Sequence, residues 1–326
     1  MYLNIKEIEK ITSGAVEVYQ HYSNISFMRC TKAQINSRVG KEQFAERCEA
    51  TAGVVLRFTT DSEILRMRGF VDGIYNSRVY WNVDVLVNGE IAYHKLGNHI
   101  EEDHRFNIDL NLGFGYKDVE IYLPTIQRPR VEFIELTDGA VFEKIERERK
   151  YIAFGDSITQ GYDTYHPQYC YAHRVANAFN AELFDMGIGG ETFDVETLDE
   201  NFPVKPDFIT VAYGTNDWSK NTDFNVFTKN AEDYLKKLKT MYDCPMFYIS
   251  PLWRADKDRD KKVADFELSR NTLMDIARKY GYIIADGYDM MPADPALFWD
   301  ERLHPNDAGF GVYAENLVKL MKENGI

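Results

Sequence analysis

The chain has 326 residues, with 38 Lys plus Arg against 52 Asp plus Glu, for a formal net charge of -14. That length is more than one ordinary domain needs, and a hydrophobic content of 44% sets the chain apart from disordered sequences. An acidic surface repels phosphate backbones and anionic bilayers, so neither nucleic acid nor a membrane is an expected partner.

No stretch approaches the roughly 18 consecutive apolar residues of a membrane span. The start, MYLNIKEIEKI, lacks the basic-then-apolar order of a secretory leader, so a cytoplasmic location is expected. Cys30, Cys48, Cys170 and Cys244 are scattered without a C-x-x-C pair and read as buried free thiols rather than zinc ligands.

The first fifty residues show little periodicity and are assigned loosely to a β-rich unit. From about Gly53 to Leu136, apolar and polar residues alternate with a period of two, which predicts antiparallel strands with one buried and one wet face. Leu65 and Met67 alternate with arginines; Trp81, Val83, Val85 and Val87 alternate with Asn82, Asp84 and Leu86; Phe106, Ile108 and Leu110 alternate with polar residues. Asn88-Gly89 lies between two such runs and suits a tight hairpin, because both residues accept positive φ. Several short strands separated by turns predict a β-sandwich. The charged stretch EKIERERK, 143–150, reads as a solvated connector, which places a unit boundary between 1–145 and 146–326.

From Tyr151 onward strands and helices alternate. Short β-rich runs at 151–154, 181–184, 208–212, 246–249 and 282–285 are separated by helical spacing at 171–179, 226–241, 263–280 and 308–322. This order predicts a parallel sheet covered on both faces, with any ligand gathered at the carboxyl ends of its strands.

Four small clusters fall where these elements meet loops. The run 155–161, Gly-Asp-Ser-Ile-Thr-Gln-Gly, follows the first strand, so Ser157 would stand at the ligand edge beside the N–H groups of a new helix. The run 185–190, Asp-Met-Gly-Ile-Gly-Gly, allows close approach of its backbone N–H groups to a substrate. Gly214-Thr215-Asn216-Asp217 offers an amide that can donate to an oxyanion. The run 300–306, Asp-Glu-Arg-Leu-His-Pro-Asn, carries His304 with acids before it and proline after it. Each cluster alone reads equally as a cap, a turn or a surface loop. His166 and His173 are the rival histidines, and both lie within twenty residues of Ser157 on the same loop–helix segment.

Taken together and in this order, the four clusters resemble the blocks of the SGNH (GDSL-like) hydrolase superfamily over about 151–320. That resemblance implies a flavodoxin-like three-layer α/β/α domain. It implies Ser157 as nucleophile, His304 as base, and an oxyanion hole made of the Ser157 N–H, the Gly190 N–H and the Asn216 amide, with no metal and no cofactor. Two positions depart from the family pattern: Asp185 stands where Asn is usual, and the usual D-x-x-H spacing is not clear. Glu301 is three residues before His304 and Asp300 four, so Asp300 needs a one-residue bulge and Glu301 a folded-back side chain; Asp300 is preferred and both are kept.

The first half is similar to the jelly-roll domain preceding the hydrolase domain in some carbohydrate esterases. The expected activity is a serine esterase removing acetyl or another short acyl group from a small-molecule or oligosaccharide ester, with Trp218, Trp253 and Arg254 at the substrate rim. The alternatives are an acyltransferase or a lipase on the same scaffold, or an inactive carbohydrate-binding protein. Exposed aromatic strands in the first half offer a surface for a homo-oligomer.

Overall fold

The computed structural model describes residues 1–100 and 104–326. Two antiparallel sheets form the first part of the chain as a β-sandwich. One runs in the order Thr12–Ser13, Val55–Thr60, Lys117–Tyr122, Tyr80–Val87, Glu90–Asn98, with Phe142–Lys144 paired to Val55–Thr60. The other runs Glu17–His21, Asn24–Met28, Arg128–Leu136, Ile64–Asp72, Arg105–Asn111. Between them lies one apolar core that includes Phe58, Met67, Trp81, Val83, Ile108, Val119 and Ile134. Asn88 and Gly89 have φ of 52° and 84° and close the Tyr80–Val87/Glu90–Asn98 hairpin, as their positive-φ tolerance requires.

The alternating pattern misleads in one strand. Tyr80–Val87 is buried on both faces, with Asn82 and Asp84 fully enclosed. Its polar side is covered by the following unit: the Asn82 amide donates to the Thr164 and Tyr165 carbonyls, and the Asp84 carboxylate meets His94 and His166. The first fifty residues hold the short helices Ile5–Ile11, Lys32–Asn36 and Glu42–Arg47, which period-two reading leaves out. The stretch 143–150 is partly strand, since Phe142–Lys144 and Arg149–Gly155 enter it from either end.

The second part is a five-stranded parallel sheet in the order Ala181–Gly187, Arg149–Gly155, Phe208–Ala212, Met246–Ile249, Ile283–Ala285. This 2-1-3-4-5 order, with helices on both faces, is the flavodoxin-like three-layer arrangement. Strand side chains divide between two cores as a doubly covered sheet requires. Tyr151 and Ala153 face Tyr171, Val175, Phe310 and Leu317, from helices Tyr171–Ala178 and Asp307–Glu323. Ile152 and Phe154 face Phe227, Leu235, Leu238 and Leu273, from Phe224–Met241 and Phe266–Lys279. The direction of winding reverses beside Arg149–Gly155, so the switch point where such sheets bind ligands lies at the carboxyl end of that strand. No described helix is long and apolar enough to cross a membrane.

Candidate active site

Ser157 stands at that switch point as the first residue of the four-residue helix Ser157–Gln160. Asp156 caps it, with Oδ1 accepting from the Ile158 N–H at 3.0 Å. The other oxygen, Oδ2, accepts from the Asn216 side-chain amide at 3.0 Å and so ties the first strand end to the short helix Thr215–Ser219. Burial pushes the Asp156 carboxyl up to about 7.

The Ser157 hydroxyl lies 2.8 Å from His304 Nε2, and both residues are almost fully buried. This is the contact a general base needs to take the serine proton. His304 hangs from the loop before Asp307–Glu323, a helix capped by Asn306 through the Gly309 N–H at 3.0 Å. The Tyr162 ring lies beside the imidazole, inclined to it by 25° with centroids 5.9 Å apart.

Two carboxylates face the far nitrogen of that ring. Asp163 Oδ2 is 3.3 Å from His304 Nδ1 and Asp300 Oδ2 is 3.8 Å away. Asp300 Oδ1 accepts from the backbone N–H groups of Arg302, Leu303 and His304, at 3.1, 2.8 and 3.3 Å. Burial works against its charge, but the histidine and these N–H groups outweigh it and hold Asp300 well below the usual carboxylate range. The bulge that Asp300 needs is Glu301 itself, which takes φ of 54° and turns an exposed side chain to solvent. Glu301 therefore does not fold back on the ring.

Asp163 escapes sequence reading, because no local spacing links it to a histidine 141 positions away. It has φ of 68° and a buried carboxylate, which Arg78 of the sandwich grips in two hydrogen bonds of 2.7 and 2.6 Å.

Gly190 has φ of 80°, which a side-chain-bearing residue rarely adopts, and its N–H has no hydrogen-bond partner among the described residues. Gln160, which belongs to the first cluster but has no expected role there, holds the turn by accepting from the Gly189 N–H at 2.8 Å. The Asn216 amide, beyond its bond to Asp156, reaches the Glu191 carbonyl at 3.2 Å. Ser157, Gly190, Asn216 and His304 line one cavity of about 450 Å³. Asp185, in the position where Asn was expected, is fully buried; its Oδ1 accepts from the Gly187 N–H at 2.8 Å, and burial pushes its carboxyl up to about 7.

A family model of GDSL-like lipases and acylhydrolases matches residues 153–312. Residues 153–312 thus form a GDSL-like lipase/acylhydrolase domain. Among solved structures, a salicylyl-acyltransferase from a tetracycline biosynthetic pathway is 23% identical with a TM-score of 0.82, over 97% of this chain and 94% of that one. An acetyl xylan esterase from the rumen bacterium Butyrivibrio proteoclasticus is 14% identical with a TM-score of 0.63, over 99% and 98%. A family two carbohydrate esterase from Cellvibrio japonicus is 13% identical with a TM-score of 0.63, over 97% and 96%. Such low identities carry the fold, including the sandwich that precedes the GDSL-like domain. No curated protein matches the chain.

The remaining expected residues distribute unevenly around the GDSL-like site. Trp218 is 1% exposed, packed on Phe266, and donates its indole N–H to the Ala264 carbonyl, so it has no free face for a sugar. Trp253 packs on Phe298 and the apolar core instead of lining the cavity. Arg254 does line it, but its guanidinium is held by Asp256, Thr215 and Ser219. His173 is fully buried beside Tyr122, and burial together with Arg57 and Arg147 drives it down to about 3. His166 Nδ1 lies 3.1 Å from Asp84 Oδ2. Asp84, His94 and His166 have ligand atoms within 4.8 Å of one another, the spacing of a metal site, but they sit at the seam between the two units, where the carboxylate already receives both rings.

Proposed function

We propose that the protein is a serine esterase that removes acetyl or another short acyl group from a carbohydrate ester. The observation that carries this reading is the 2.8 Å contact between Ser157 Oγ and His304 Nε2 at the wall of the cavity. His304 takes the serine proton as Oγ attacks the ester carbonyl, and an acyl-enzyme forms as the alcohol leaves with that proton. The oxyanion formed in each half-reaction is received by the unpartnered Gly190 N–H and the Ser157 N–H at the start of its helix, joined by the Asn216 amide as one of its N–H bonds turns from the Glu191 carbonyl to the substrate. Water, deprotonated by the same imidazole, then releases the acid.

Two features favour a short acyl group on a sugar. Tyr162 and Leu303 are the only large apolar side chains in a lining dominated by Arg, Lys, Ser and Gly, which gives a fatty chain no apolar bed. Two half-open aromatic residues, Tyr165 and Trp299, pair edge to face at 4.7 Å in a second hollow that also contains Asp163. Their exposures of 42% and 44% leave ring faces for a sugar, the role expected of Trp218 and Trp253. The likeness to a salicylyl-acyltransferase over nearly the whole chain favours one second reading, acyl transfer to an alcohol in place of water.

The test is a panel of acetylated oligosaccharides and 4-nitrophenyl esters run beside Ser157→Ala, with products analysed in the presence of an added alcohol. Turnover and fluorophosphonate labelling should vanish in Ser157→Ala, and Asn216→Ala should slow turnover about a hundredfold or more. Undiminished hydrolysis by Ser157→Ala would overturn the assignment.

A further inference from the structure

The chain carries 14 more acidic than basic groups, yet the cavity beside Ser157 is lined by Arg47, Arg78, Arg254, Arg259, Lys261 and Arg302, with Asp256 as the only carboxylate among the described residues of that lining. Arg78 is matched by Asp163. The others are not matched one for one. Asp256 receives Arg254 at 2.6 and 3.1 Å and is also the neighbour of Arg302 at 3.5 Å and Arg259 at 3.6 Å. Arg302 has a further contact with Asp300 at 3.6 Å, but that carboxylate also faces His304.

Lys261 lies over the Trp218 ring and donates to the Ser219 carbonyl at 3.1 Å, with no carboxylate partner among the described residues. Across the cavity, the buried Arg47 guanidinium donates only to the Gly189 and Tyr75 carbonyls, beside the Gly190 turn. Like charges held together raise the energy of the empty site, and a low-dielectric cleft focuses their field on whatever enters it.

From this wall we infer that the ester substrate carries an anionic group, a carboxylate or a phosphate, that docks on Lys261, Arg259 and Arg302 while its acyl carbon lies at Ser157. The inference rests on the esterase reading and specifies its substrate class as acylated acidic sugars or sugar phosphates. Guanidinium and ammonium groups at a cavity mouth recognise either anion through charge-assisted hydrogen bonds. The overall negative charge of the chain repels such substrates from every other face, so the cavity is where they gather.

The experiment compares kcat/KM for three substrates that differ only at C6: the 3-O-acetyl esters of methyl glucoside, methyl glucuronoside and methyl glucoside 6-phosphate. The charged esters should be preferred by about tenfold or more at low ionic strength. The preference should shrink as NaCl is raised to about 0.5 M, where the screening length falls to a few ångströms. In the Arg259→Gln/Lys261→Gln double variant, the ratio of charged to neutral kcat/KM should fall toward one. A preference confined to the glucuronoside identifies a carboxylate, and one confined to the 6-phosphate identifies a phosphate.

Equal rates on all three esters by an enzyme that does cleave 4-nitrophenyl acetate would overturn the anionic substrate and leave the esterase standing. A preference insensitive to both salt and the double substitution would also overturn it. Failure to cleave any ester or to take a fluorophosphonate label would remove the esterase reading, and this inference with it.

Discussion

At the scale of single residues, Nδ1 of His304, the ring nitrogen turned away from Ser157, faces two acids of different origin. Asp163 is closer but shares its charge with Arg78; Asp300 is farther but ties down the backbone that presents the ring. On the proposed mechanism, each would supply part of what one triad acid supplies elsewhere: holding the tautomer and stabilising the imidazolium. Asp163→Asn and Asp300→Asn should each lower kcat by about tenfold or more, and together they should approach the roughly 10⁴-fold loss of a triad without its acid. Glu301→Ala should be near wild type, because its side chain is exposed. Steady-state kinetics of the four proteins check this, and a Glu301→Ala loss as large as either Asp variant would show that the loop is organised differently.

At the scale of elements, the four residues proposed to carry the chemistry each follow the end of a strand or precede the start of a helix. Ser157, Gly190 and Asn216 follow three neighbouring parallel strands, and His304 precedes the closing helix. Strand Ala181–Gly187 brings a cost with it, since Asp185 carries an ionisable group into the sheet interior opposite Ala153. Its carboxyl is raised to about 7 from an unfolded value near 4, so the folded state holds a proton that the unfolded state has lost. Stability from this group is thus full at low pH and declines as pH rises through about 7.

Asp185→Asn should accordingly gain stability relative to the parent between pH 5 and pH 8, by up to about 3 kcal/mol at ~1.4 kcal/mol per pKa unit. Thermal melts at the two pH values measure the gain. A difference in Tm between variant and parent that does not change with pH would contradict the raised carboxyl.

At the scale of the whole molecule, the sandwich is part of the candidate site. It contributes Arg47, Ser77 and Arg78 to the cavity wall. It also grips the hydrolase loops through Arg29 to the Asp185 carbonyl at 2.7 Å, Gln160 to the Thr125 carbonyl at 3.2 Å, and the buried Arg38–Glu191 pair at 2.7 and 2.9 Å. Arg78→Gln leaves the buried Asp163 carboxylate without its cation, which should cost about 1–3 kcal/mol and lower Tm by several degrees. The same change should reduce kcat, since Asp163 is then free to move away from His304. Calorimetry beside kinetics tests the coupling: unchanged Tm and kcat would mean the sandwich merely abuts the site.

The period-two and helical patterns, read from the chain alone, were enough to separate a sandwich from an α/β sheet, because burial on one or both faces writes itself into local spacing. The four clusters, each just beyond an element, were enough to pick out Ser157, Gly190, Asn216 and His304 as candidates for one site. The partners of those groups were decided by tertiary structure. Asp163, Arg78 and Arg47 reach the site through loop closures and unit-to-unit packing that no short spacing encodes, and the packing that buries Trp218 took away the role its sequence neighbourhood suggested. Electrostatics followed the same rule. Net charge is a property of the list of residues, whereas the cationic wall facing Ser157 exists only because folding draws Arg47, Arg254, Arg259, Lys261 and Arg302 from three distant segments to one cavity.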